Sequence, residues 1–276
     1  MDCVNPAEVV SAMVQAGATK AQLGPFDLLV RGCLSGAILG VATSLALGAA
    51  AQTGQVLAGA LIFPAGFVII VLLGLELVTG SFALLPVALF AGRASPTAII
   101  NNWSWVFLGN LIGSVAYAGL FVIAVTNAGQ VDPAGVAERV RQAAEFKTLG
   151  YAHFGAAGLL TVFVKAVLCN WMVCFGVVMG MASTSTIGRT VGAWMPVLIF
   201  FAQGFEHSVV NMFVVPAGMM MGAKVSFSDW WIWNQIPVTL GNLVGGALFT
   251  GAALYVTYGR EDASGPVAAG VVVQGD

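Results

Sequence analysis

Few residues in this chain have side chains able to carry chemistry, and those few are grouped. Residues Gln203 to Pro216 read QGFEHSVVNMFVVP and set Glu206, His207 and Asn211 inside an apolar stretch running from about Trp194 to Met221. Burying such groups in hydrocarbon is costly unless they find partners or line a watery path. The chain has only two histidines, His153 and His207. Histidine changes charge near neutral pH, so an imidazole on an apolar path could meet an anion as a cation or hand it a proton. The chemistry implied is passage of a small charged solute. The stretch has an echo. Leu73 to Pro86 read LGLELVTGSFALLP, and a shift of 130 aligns Gly74 with Gly204, Glu76 with Glu206 and Pro86 with Pro216. A shift of 132 aligns LGNLIGS from Leu108 with LGNLVGG from Leu240, and so Asn110 with Asn242. Together these describe a duplicated unit.

Duplication suggests structural work for the repeated polar residues. Glu76 and Glu206, with Asn211, are expected to support helix breaks, the carboxylates bonding backbone N–H groups freed there. Asn110 and Asn242 are expected to hydrogen-bond between helices. Cys3, Cys33, Cys169 and Cys174 are scattered without metal-type spacing and read as small apolar residues. No metal and no cofactor is expected. Two histidines are too few for a multi-haem protein. A water or small neutral solute channel is the alternative of a different class, but Asn5–Pro6–Ala7 is terminal and unpaired.

The elements that must position these residues follow from composition. The 276 residues are 59% hydrophobic and 8% charged, with 35 glycines, which describes a multi-spanning membrane protein in contact with lipid. A net charge of −2 gives no reason to expect nucleic acid. Residues 1–27 read as a surface segment, with Val9, Met13 and Ala16 spaced for a short helix along the membrane face. Apolar spans are expected at Leu28–Ala51, Trp103–Thr126, a fourth ending at Met181, and Trp233–Tyr258. The blocks Val56–Ala91 and Ala193–Gly222 are each interrupted near their glutamate and followed by a proline, which predicts helices broken at membrane depth. A polar linker, 127–158, carries AGVAERVRQAAEF, an amphipathic stretch whose charges read as a solvated face. The tail 259–276 reads as a disordered end. The expected fold is all-α: a single transmembrane domain, 28–258, of six helices, helices 2 and 5 broken. Its two three-helix repeats, 28–126 and 159–258, must insert in opposite senses. Lys20, Arg31, Arg93, Arg189 and Arg260 against Arg139, Arg141, Lys147 and Lys224 favour cytoplasmic termini by five to four.

On GFEHSVVNMFVVP from Gly204, LCNWMVCFG from Leu168, NQIPVTLGNLVGG from Asn234 and GLELVTGSF from Gly74, the chain resembles the formate/nitrite transporter family over roughly residues 25–258. The resemblance implies an aquaporin-like protomer, a homopentamer, a bacterial inner membrane, and passage of small monovalent anions such as nitrite, formate or hydrosulfide, channel-like or linked to protons. It makes His207 the central pore histidine, Thr79 its hydrogen-bond partner, Asn170 a pore asparagine, and Phe63 and Phe200 constriction aromatics. Leu77 and Val78 fall at the cytoplasmic constriction, where Val78 replaces a frequent phenylalanine. The family's outer-vestibule lysine lies about sixteen residues before the asparagine, which here is Phe154; Lys147 or Lys165 serves instead, or the lysine is missing. The segments LELVTGSFALLP and NWMVCFG are closer to nitrite-type members, making nitrite the expected substrate and formate the second choice.

Overall fold

The computed structural model describes residues 3–259, so Arg260 and all but the first residue of the expected tail lie outside the described residues. Among the described residues everything regular is helical, apart from an isolated bridge between Cys3 and Ser183. Four helical runs are long and apolar enough to cross a membrane: α2 (Pro25–Thr53), α6 (Pro96–Val125), α8 (Gly155–Met181) and the stretch Phe227–Tyr258. Proline at the first turn starts α2 and α6, and Ser95 caps α6 by accepting the Ala98 N–H. The last run begins with a capping box between Ser226 and Asp229. It passes through α11 (Phe227–Trp230), a π-helical turn (Trp231–Gln235), α12 (Ile236–Val244), a second π-helical stretch (Gly245–Ala252) and α13 (Ala253–Tyr258). Two of these helices start several residues before the apolar runs do, because polar residues fall in their first two turns, Asn101 and Asn102 in one and Ser228 and Asp229 in the other.

The two interrupted blocks fold as interrupted helices. The first comprises α3 (Val56–Ile62), α4 (Pro64–Leu72) and α5 (Val78–Phe90). The second comprises α9 (Thr186–Ala202) and α10 (Ser208–Met220). Pro64, lacking an N–H, divides α3 from α4 at Phe63. Gly74 and Gly204 sit in the left-handed region at φ 62° and 64°, one residue past the cap of α4 and of α9. At each, the following residue's N–H returns to a carbonyl five positions back, Leu75 to Ile70 and Phe205 to Phe200, a Schellman closure that glycine permits. Three residues without regular structure, the last of them extended, then lead into the next helix.

Glycines set how closely the long helices pair. A Cβ on Gly109 or Gly113 would strike the carbonyls of Leu29 and Cys33 on α2. Gly241 and Gly245 lie in the same way over the carbonyls of Phe163 and Val167 on α8.

Two further helices belong to the packed body, which the sequence does not reveal. α1 (Pro6–Ala21) buries Val9, Val10 and Met13 instead of only lying along a surface. α7 (Val136–Ala152), in the polar linker, buries Ala137, Val140, Ala144 and Thr148. Each docks on one half-helix. On α1, a Cβ at Gly17 would collide with the Leu84 carbonyl and lie 2.8 Å from the Cβ of Ala88, both on α5. On α10, a Cβ at Gly218 would collide with the Cβ of Ala144 on α7.

Candidate functional site

The site is built where the two interruptions meet. Each interruption exposes N–H groups at a helix start and carbonyls in the extended segment before it, and these need partners in an apolar interior. Asparagines supply them. Asn110 Oδ1 accepts the Val78 N–H at 3.0 Å, while its amide donates to the carbonyls of Glu76 and Gly32, each at 2.9 Å. The Ser35 hydroxyl donates to the same Glu76 carbonyl. Asn242 repeats the pattern: Oδ1 accepts the Ser208 N–H at 2.9 Å, and the amide donates to Glu206 O at 2.9 Å and Ala166 O at 2.8 Å.

The carboxylates do something other than the sequence suggests. Among the described residues neither Glu76 nor Glu206 accepts a backbone N–H; the asparagines have taken that work, and the carboxylates pair with lysines instead. Lys20 Nζ on α1 reaches Glu76 Oε1 at 2.7 Å, and Lys147 Nζ on α7 reaches Glu206 Oε2 at 2.8 Å. Glu206 gains two more donors, Asn211 Nδ2 at 2.9 Å and the Tyr151 hydroxyl at 2.8 Å. Glu76 Oε2 is buried without a hydrogen-bond partner. Lys147 therefore stands at the second interruption, whereas Lys165 Nζ lies 5.6 Å from the Tyr151 ring centroid and Phe154 is exposed. Asn102 and Asn234 donate to the backbone carbonyls of these lysines, Lys20 at 2.9 Å and Lys147 at 2.8 Å. A signal for them exists in the sequence: Asn102 and Asn234 stand at the same spacing as Asn110 and Asn242.

Between the two half-helices, His207 Nε2 lies 3.1 Å from Thr79 Oγ1. Thr79 is in the first turn of α5 and His207 is the N-cap of α10, so the bond joins one helix start to the other. The ring's other nitrogen, Nδ1, accepts the Val210 N–H at 3.3 Å. A nitrogen that accepts carries no proton, so the proton sits on Nε2 and the ring is neutral, donating to Thr79. The Thr79 hydroxyl then keeps its own hydrogen available. His207 and Thr79 are both fully buried.

Asn170 on α8 donates to the carbonyls of Thr79 at 3.0 Å and Asn242 at 2.6 Å, tying the start of α5 to α12, whose Asn242 side chain in turn caps α10. Phe200 stacks on the His207 ring with centroids 5.8 Å apart, and Phe63 meets Phe200 edge-on at 5.8 Å while stacking on Phe201 at 4.0 Å. Val78, with 1% exposure, is directed into the core. Leu77 borders a cavity of about 330 Å³ whose lining includes Phe67, Ile70, Gly80, Lys20 and Arg189. Among the described residues no three His, Cys, Asp or Glu side chains are grouped to hold a metal ion.

Such an arrangement can do little bond-making chemistry. It offers two helix starts with their partial positive charge, one hydroxyl donor and one neutral imidazole in a dry setting, which suits transient contact with a small anion.

A family model described as formate/nitrite transporter matches residues 7–256. The probable formate transporter of Methanothermobacter thermautotrophicus is 39% identical over 262 residues, spanning 88% of this chain and 92% of that protein. Among solved structures, an FNT family ion channel superposes with a TM-score of 0.78 at 24% identity, covering 91% of this chain and 98% of that one. A pentameric formate channel with formate bound superposes with a TM-score of 0.67 at 25% identity, covering 85% and 97%.

Proposed function

Because the chain belongs to the formate/nitrite transporter family, we propose that it carries small monovalent anions across a membrane, formate first among them, through a path at whose centre Thr79 and His207 meet. Formate replaces the nitrite favoured on segment similarity, since the Methanothermobacter relative and the pentameric structure carry formate in their names. The observation that supports the site is the bond of 3.1 Å between His207 Nε2 and Thr79 Oγ1 across two helix starts.

An anion leaving water for this path meets the positive ends of α5 and α10 and the free hydrogen of the Thr79 hydroxyl. His207 makes that hydroxyl a donor by occupying its acceptor side. Phe63 and Phe200 narrow the route on one side of the histidine, and Leu77 and Val78 on the other. The one proton of the neutral imidazole is engaged with Thr79 and is too weakly acidic to pass to formate, so at neutral pH the anion crosses charged. Asn170 ties the start of α5 to α12, whose Asn242 caps the start of α10. We read the protomer as two oppositely inserted halves, on the matched caps of Asn110 and Asn242. The name of the formate-bound structure supports assembly as a homopentamer. A bacterial inner membrane with cytoplasmic termini accords with the basic-residue balance.

The test is flux and current measured together in vesicles holding purified protein, with formate, nitrite and glycerol. Formate flux that carries current at neutral pH and exceeds nitrite is expected. Faster nitrite passage restores nitrite as substrate, and glycerol passing as fast as formate makes this a neutral-solute channel.

A further inference from the structure

The carbonyl of Thr79 receives two donors from α8, Asn170 Nδ2 at 3.0 Å and Cys174 Sγ at 3.3 Å. The two side chains stand four residues apart and so on one face of the helix. Asn170 divides its amide between Thr79 and Asn242, with the closer approach, 2.6 Å, to Asn242. The thiol goes to Thr79. Room for it depends on Gly246, where a Cβ would lie 2.8 Å from Asn170 Nδ2, 3.0 Å from Cys174 Sγ and 3.0 Å from the Cβ of Phe82. Gly246 is the second residue of the π-helical stretch Gly245–Ala252, a widened turn of the kind found beside working sites.

A buried free cysteine is ordinarily a small apolar filler with a weak S–H donor. Two features separate Cys174 from that role: its acceptor is the carbonyl of the residue whose hydroxyl meets His207, and Asn170 bonds the same oxygen. Fixing that carbonyl fixes the peptide plane and first turn of α5, and with them the direction of Oγ1.

We propose that Cys174 is a positioning residue, holding Thr79 so that its hydroxyl stays on His207 Nε2. Its effect on flux rests on the proposed transport of formate; its effect on the imidazole does not.

The experiment therefore reads both. With two histidines in the chain, a His153→Gln background leaves one imidazole, whose ¹⁵N resonances report the bond to Thr79 in lipid-embedded protein. Cys174→Ala should move the Nε2 resonance and lower formate flux roughly three- to tenfold, the effect of losing one buried hydrogen bond. Cys174→Ser, which keeps a donor, should return both most of the way. Gly246→Ala, pressing on the same thiol, should move the resonance too, and serves if Cys174→Ala does not assemble. Resonances left at their wild-type positions by Cys174→Ala, or by Gly246→Ala in its place, overturn the proposal whatever the flux does. A resonance moved by alanine and restored by serine, in a protein that passes no formate, upholds Cys174 and sinks the transport reading.

Discussion

Leu77 and His207 hold one backbone position twice: each is the last extended residue before its half-helix, with φ −117° and ψ 119° at Leu77 and φ −114° and ψ 122° at His207. The fold accommodates an apolar residue there as readily as an imidazole. His207→Leu should therefore leave assembly intact, while Val210 loses its side-chain cap and Thr79 its partner. A thermal transition lowered by more than two lost hydrogen bonds explain, about 1 kcal/mol each, would contradict that equivalence.

Replacing the imidazole should also change how flux responds to pH. The ring can take a second proton only at Nδ1, which breaks its bond to Val210 N–H, so any pH response that His207 gives the flux comes with loss of that cap. Flux in His207→Phe or His207→Asn, followed from neutral to mildly acidic pH, should lose that response. A variant that still conducts with the wild-type pH profile would leave the histidine a structural part only.

The two buried ion pairs should not be equally costly to break. Removing a lysine strands a buried carboxylate, at about 3–5 kcal/mol. Glu206 would keep Asn211 and Tyr151, whereas Glu76 is bonded by Lys20 alone among the described residues. Lys20→Met should therefore destabilise more than Lys147→Met, with Glu76→Gln added to Lys20→Met recovering much of the loss. Melting in detergent that ranks them the other way would mean that the remaining donors, Asn211 and Tyr151, do not shelter a stranded Glu206.

Asn110→Leu should prevent assembly, since it strands the buried Val78 N–H at about 1–3 kcal/mol and leaves the Glu76 and Gly32 carbonyls to share the Ser35 hydroxyl. Asn102→Leu removes one bond, to the Lys20 carbonyl, and should survive. The yield of assembled protein after membrane extraction compares them.

Close helix contact gives a sharper pair. Gly113→Ala would drive a methyl into the Cys33 carbonyl, while Gly119, six residues along the same helix, has nothing within 4 Å. The first should fail to fold and the second should match wild type in melting temperature.

Much of this architecture is readable from residue order, and the reason is physical. A glycine beside a glutamate inside an apolar block cannot continue a buried helix unaided, so the interruptions near Glu76 and Glu206 announce themselves, whereas Pro86 and Pro216 stand inside α5 and α10. What those glutamates bond to is another matter. Lys20 and Lys147 lie 56 and 59 residues away along the chain, on helices whose mixed composition reads as surface and linker. Nothing local ties a lysine in a polar stretch to a carboxylate in an apolar one. The asparagines are legible as a repeated pair but not as caps, because that role depends on which helix start the packing brings within 3 Å. His207 and Thr79 are linked by resemblance alone; 128 residues separate them, and no spacing rule spans that distance.

The docking of α1 on α5 and of α7 on α10 bears on whether their parts can be exchanged. Gly17 faces Ala88, and Ala144 faces Gly218, so the glycine that allows the close approach lies on the docking helix in one pair and on the half-helix in the other. Either arrangement satisfies the contact, but a mixture of two alanines does not. Grafting α7 in place of α1 would therefore put an alanine methyl into the Leu84 carbonyl even if Ala88 became glycine, so the two docking helices, though alike in placement, are not interchangeable in parts.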